Sequence, residues 1–319
     1  MLGPLFALAA LRVTGSRVAA PPGARYVGQW IIGTSLGLYF TPHALATVAG
    51  SWAVILAATL FAIALGYACG LLLARLAGID RTTGVFASVP GGAAEMATLG
   101  ERFGARPDRV AAAQSLRILI VVALVPAAIT LADVHGIDRF VPGAGRFDAG
   151  GFAVLMVATL AGCAAFQLLR APNAFVLGSL AVAIPLTATE VDLSSMPGPV
   201  SNAGQLLLGC ALGARFQPDF LRGAPRFVGA TVASVIVAIA LAAGFAATLA
   251  WATAHNPAAL VLGTAPGGIA EMCITAKALQ LGVPLVTACH VARLVALLLV
   301  TAPLFGTLRG WWRARAKDE

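Results

Sequence analysis

Charge is scarce in this chain. Only 11% of its 319 residues are charged, where a soluble domain usually carries about 25%. That shortage excludes an ordinary water-soluble globule. Imidazole is scarce too: the four histidines, His43, His135, His255 and His290, are unpaired in sequence, and copper chemistry needs them clustered. The five cysteines, Cys69, Cys163, Cys210, Cys273 and Cys289, are widely spaced within apolar stretches, with no CxxC. They read as small core hydrophobes, not as metal ligands. A basic n-region and a cleavage site are both missing from the apolar start, so no cleavable leader is expected. Nor is there a basic domain outside the apolar segments, which argues against nucleic-acid binding despite a net charge of +8.

Apolar residues fill the space that charge leaves. They make up 59% of the chain, and mean hydropathy is +0.90. Uncharged runs such as 51–74 and 227–254 exceed the ~20 residues a helix needs to cross a bilayer. These runs are continuous, not alternating, which excludes a β-barrel. The expected fold is an all-α polytopic membrane protein whose main partner is the lipid bilayer. Candidate spans are 2–14, 27–44, 51–75, 108–131, 150–169, 173–189, 199–215, 226–253 and 284–308. Segments 83–100 and 260–277 are interrupted.

The interruptions are duplicates. Pro90-Gly91-Gly92-Ala93-Ala94-Glu95-Met96 returns 176 positions later as Pro266-Gly267-Gly268-Ile269-Ala270-Glu271-Met272. The same offset carries Gln29, Gly33, Leu36, Gly37, Phe40 and Pro42 onto Gln205, Gly209, Leu212, Gly213, Phe216 and Pro218. It also carries Arg117 onto Arg293 and Gln114 onto His290. One ungapped register of this length indicates an internal repeat. The halves are expected at 1–148 and 149–308, followed by a basic tail at 309–319. The second half has a span, 150–169, before its Leu177-Gly178-Ser179 segment, whereas the first half begins near the equivalent Leu2-Gly3-Pro4. The first span of repeat 1 is therefore expected to be missing, leaving nine spans and an external N-terminus.

Loop charges choose the topology. If the two interrupted segments are re-entrant, one side holds Arg12, Arg17 and Arg25; Arg75 and Arg81; Arg102, Arg106 and Arg109; Arg170; and Arg215, Arg222 and Arg226. The C-terminal Arg309, Arg313, Arg315 and Lys317 fall on that same side. The other side holds mainly Asp133, Asp138, Asp148, Glu190 and Asp192, with His255; Arg139, Arg146 and Lys277 are exceptions. The positive-inside rule favours this arrangement and a cytoplasmic C-terminus in a bacterial inner membrane. It makes the two halves inverted relative to each other.

The doubled PGGxAEM, the QxxxGxxxGxxFxP segment and the LGP/LGS helix start resemble the AbrB-duplication membrane protein family over nearly the whole chain. Members of that family carry labels as regulators of gene expression, ammonia monooxygenases or transporters. The family is similar to the cation/proton antiporter and anion transporter superfamily. That similarity implies inverted repeats with broken helices crossing at mid-membrane, and a homodimer.

Proline lacks an amide proton and paired glycines tolerate unusual dihedrals, so Pro90, Gly91, Gly92 and Pro266, Gly267, Gly268 should interrupt helical hydrogen bonding. Freed backbone at membrane depth survives only inside protein or against a watery cavity. A helix resuming near Ala93 or Ile269 would aim its positive end there, which suits an anionic group. The glycines could instead serve only close packing, as Gly33/Gly37 and Gly209/Gly213 are expected to do. Glu95 and Glu271 could carry protons, ligate a cation or cap the broken helix. Arg117 and Arg293 lie about nine residues into their helices, or ~13 Å at helical rise, too deep to snorkel. Each needs a partner, and the expected partners are Glu95 and Glu271; substrate contact is the alternative. Gln114 and His290 precede the arginines by one turn, and His290 could couple transport to protons. Met96 and Met272 should pack as core.

These features predict a secondary transporter of a small solute, anionic if the helix ends meet it, coupled to H⁺ or Na⁺. Alternating access would turn about a midplane site between the two breaks. A membrane-embedded regulator acting through a solute or partner is the alternative. No enzymatic activity, cofactor or metal is expected.

Overall fold

A computed structural model of the chain describes residues 2–14, 18–134, 136, 147–191, 193–214 and 224–315. Arg17, His135, Asp138, Arg139, Arg146, Asp192, Arg215, Phe216, Pro218, Arg222 and Lys317, singled out above, lie outside the described residues. Within them are fourteen helices and no strand. In chain order these are α1 (Leu2–Val13), α2 (Ala24–Gly37), α3 (Pro42–Gly50), α4 (Trp52–Ala77), α5 (Arg81–Ser88), α6 (Ala93–Arg102), α7 (Pro107–Leu131), α8 (Ala149–Leu168), α9 (Ala174–Ala188), α10 (Gly198–Gly213), α11 (Pro225–Thr253), α12 (Pro257–Thr264), α13 (Ile269–Leu279) and α14 (Val283–Arg315).

Local chemistry sets the boundaries. The side chains of Thr41, Asp80, Asp148 and Asn256 accept from first-turn amides and open α3, α5, α8 and α12. Gly78, at φ 66°, closes α4 in the left-handed conformation that glycine adopts without strain. The expected span 27–44 is divided: α2 stops at Gly37, and Pro42, behind an extended Thr41, starts a separate short helix. Helix α14 continues through Arg315, past the expected end at 308.

Five helices are long and apolar enough to cross a membrane: α4, α7, α8, α11 and the Val283–Thr301 part of α14. The other four expected spans correspond to α1, α2, α9 and α10, of 12, 14, 15 and 16 residues. At ~1.5 Å per residue they reach ~18–24 Å, less than a ~30 Å hydrocarbon core.

The helices pack in two groups. One contains α1, α2, α8, α9 and α10, with α2 lying against both α9 and α10. The other is built on α4, which touches α5, α11 and α14, and it includes α6, α7, α12 and α13. Glycine permits close approach in both. On α2, Gly33 faces Val176 and Ser179 of α9 and Gly37 faces Ala183, so these two glycines act in packing as expected. In the second group Gly70 of α4 lies directly against the α5 backbone at Gly84 and Val85. Direct packing between the groups is sparse and involves mainly α13 and α14 against α2, and α7 against α10. A polar tie crosses the gap: Lys277 Nζ, at the end of α13, donates to Ser35 Oγ on α2 at 2.8 Å and to Ser201 Oγ on α10 at 3.5 Å.

A Cβ at Gly70 would stand 2.5 Å from Val85 Cα and 3.0 Å from Gly84 O, backbone atoms that cannot swing aside. Gly70→Ala should therefore cost about 1–3 kcal/mol by overpacking. Gly50→Ala, with nothing within 4 Å, should be neutral. Thermal melting of the detergent-solubilised variants checks both.

Candidate functional site

Each interruption begins one residue before its proline. Steric clash with the proline ring drives the preceding residue out of the helical region, and Val89 (φ −57°, ψ 126°) and Ala265 (φ −53°, ψ 140°) end α5 and α12 in this way. Four residues later α6 and α13 start, with Gly92 and Gly268 as extended N-cap residues. Each break thus exposes a row of carbonyls at one helix end and a row of amides at the next.

The carbonyl ends are answered from the neighbouring helix. Gln114 Nε2 on α7 donates to Phe86 O and Val89 O, each at 2.8 Å. Arg117 Nη1, one turn on, donates to Ser88 O at 3.2 Å and Val89 O at 3.1 Å. On α14, His290 Nε2 donates to Leu262 O at 2.9 Å. Arg293 reaches Ala265 O through Nη1 at 2.7 Å and Gly267 O through Nη2 at 2.6 Å. The pairs Phe86/Leu262 and Val89/Ala265 are again 176 apart. This corrects the expectation that the arginines would hydrogen-bond Glu95 and Glu271. A guanidinium carries several donors in a fixed fork, a better match for a cluster of stranded carbonyls, and a cation is favoured at a helix C-terminus.

The glutamates lie beside the amide ends. Glu95 and Glu271 are the third residues of α6 and α13, where the acid of a capping box turns back to the N-cap amide. Each carboxylate folds over its own N-cap glycine: a Cβ on Gly92 would overlap Glu95, and one on Gly268 would overlap Glu271. The first glycine of each pair seats the following methionine. A Cβ on Gly91 would lie 2.6 Å from Met96 Cγ, and one on Gly267 2.8 Å from Met272 Cγ. Met96 and Met272 are buried, as expected of core residues. The heptapeptide is thus a self-contained unit, with one glycine for the methionine, one for the acid and a proline to stop the preceding helix.

Both breaks border one cavity. The second group of helices contributes Pro90, Gly91, Gly92, Arg117, Gly267, Gly268, Glu271, His290 and Arg293 among the lining residues. Gln114 is fully buried behind them, and Glu95, only partly buried, does not line the cavity. Sequence reasoning missed the opposite wall, where α2 places Arg25 and Gln29, and Asn173 stands at the start of α9. The available signal was Arg25 one helical turn before the repeated Gln29. Four buried polar atoms here have no hydrogen-bond partner: Gln114 Oε1, Arg117 Nε, His290 Nδ1 and Arg293 Nε. Because Leu262 O can only accept, His290 Nε2 carries a proton, and in the neutral ring Nδ1 is a vacant acceptor. A second, mostly apolar cavity lies between α4, α7 and α11 and shares Pro90 and Arg117 with the first.

Removing the capping side chains should expose their carbonyls. Arg293→Met leaves Ala265 O and Gly267 O without a donor and should destabilise the protein by about 2–4 kcal/mol. At position 290 the equivalent Gln114 is the guide: His290→Gln should keep the bond to Leu262 O and melt within about 1 kcal/mol of the parent, while His290→Leu should lose about 1–3 kcal/mol. Thermal unfolding in detergent distinguishes the two.

The family described as "Transition state regulatory protein AbrB" matches residues 1–309. A curated Escherichia coli (strain K12) protein named "Putative regulator AbrB" is 26% identical over 302 residues, spanning 94% of this chain and 86% of its own. "Uncharacterized protein YhjN" of Bacillus subtilis (strain 168) is 25% identical over 299 residues, spanning 88% of this chain and 78% of its own. No solved structure gives a significant match. The two PGGxAEM breaks sit within a match that leaves out only the last ten positions, and the chain belongs to the AbrB family of helical membrane proteins.

Proposed function

We propose that the protein is a secondary transporter of a small anionic solute, and not an enzyme. Its site would be the cavity between the two breaks. The observation that supports this reading is one cavity at the junction of two helix groups, lined by both breaks and by Arg25, Arg117 and Arg293. Arg117 and Arg293 satisfy the carbonyls with their terminal nitrogens, so they hold the breaks together while placing two positive charges in the lining. Alternating access follows if the group bearing both breaks moves against the group of α1, α2 and α8–α10, across the sparse interface between them. In this reading the two halves are inverted repeats, the C-terminus faces the cytoplasm of a bacterial cell, and H⁺ or Na⁺ drives the cycle.

A second reading is a membrane-embedded regulator acting through the solute or a partner, and the printed name of the E. coli relative favours it. In proteoliposomes of the full chain, a gradient of a small organic anion should drive uptake. Glu271→Gln, which keeps the side-chain shape but removes the charge lining the cavity, should reduce that uptake about tenfold. Glu95→Gln, outside the cavity, should have a smaller effect. Equal transport by both variants and the parent would overturn the assignment. A protein that moves no solute but captures a partner through its loops would favour the regulator.

A further inference from the structure

Resting on that reading, we infer that the cavity takes a small organic anion with two separated negative groups, a dicarboxylate, and that Arg25 with Asn173 forms the subsite for the second group. The cavity is lined by three guanidiniums, Arg25, Arg117 and Arg293, against one carboxylate, Glu271, a formal excess of two positive charges. Four helices begin around it: α6 and α13 at the breaks, whose first residues line it, and α2 and α9 on the opposite wall, which place Arg25 and Asn173 in the lining. None is capped by the side chain of its N-cap residue, which is Gly23, Gly92, Asn173 or Gly268. An amide end is equivalent to about half a positive charge and a carbonyl end to about half a negative one. The two carbonyl ends held by Arg117 and Arg293 therefore do not remove the excess.

The opposite wall is built against its own local preferences. Arg25 is the second residue of α2, a position where the helix dipole disfavours a cation. Asn173 is of the residue type best suited to N-capping, yet its side chain caps nothing and Oδ1 accepts from Arg25 Nη2 at 3.5 Å. Its φ of 48° places it in the left-handed region. Both residues give up helix stability to set a cation in this wall, with Gln29 one turn further on. At the breaks, Arg117 Nε and Arg293 Nε are vacant donors on side chains only 4% exposed. Positive walls on opposite sides of one cavity match two charges held apart better than one compact charge. His290 Nδ1, a vacant acceptor in the same lining, fits a water or a hydroxyl.

Binding of succinate, sulfate and acetate to the purified full chain in nanodiscs tests this. Succinate should bind about tenfold tighter than acetate and raise the melting temperature further. Arg25→Gln should erase that preference and leave acetate binding unchanged, whereas Arg25→Lys should retain part of it. Asn173→Ala, which releases Arg25 without removing its charge, should weaken succinate a few-fold. Acetate binding as tightly as succinate, or Arg25→Gln weakening both alike, overturns the two-charge assignment and leaves an anion site standing. Sulfate matching succinate overturns the separation of the charges. If none of the three binds, the anion-transporter reading falls with it.

Discussion

Stranded backbone is the constraint on which this molecule depends. Interrupting a helix at membrane depth frees carbonyls and amides that water cannot reach, each worth about 1–3 kcal/mol if left unpaired. The chain interrupts two helices and repairs both in the same way. Arg and Gln, or Arg and His, reach across from α7 and α14 to the carbonyls, and the glutamate that is the third residue of the next helix folds back over its N-cap glycine.

The repair also shapes the chemistry. A guanidinium spent on carbonyls is fixed in position, so its charge is held in the cavity lining. In the proposed function, stability and binding would share residues here, because Arg293 both holds the break together and lines the cavity. The asymmetry between halves bears on function more directly: Glu271 lines the cavity and Glu95 does not, and Arg25 stands over one wall with no arginine at the repeat-equivalent position, Ser201.

The two-group packing gives the cavity its position. Small residues bind each group tightly within itself, as at Gly33 against α9 and Gly70 against α5. Between the groups there is little more than the Lys277 tie and a few helix edges. A cavity at such a seam can change its exposure without rebuilding either group.

Much of this was legible in sequence. Hydropathy and the 176-residue register determined the membrane class, placed the helices closely and located both breaks, because apolar length, proline sterics and glycine freedom are local properties. The same register singled out Gln114, Arg117, His290 and Arg293 as a set. Only the tertiary structure decided what those residues touch. Glu95 and Glu271 looked like the natural counter-charges because sequence displays side chains, whereas the carbonyls that hold the arginines belong to every residue and appear in no pattern. Only folding could set Arg25 and Asn173 in the opposite wall. They lie 148 positions apart, and their meeting depends on how α2 and α9 pack, which no local rule encodes.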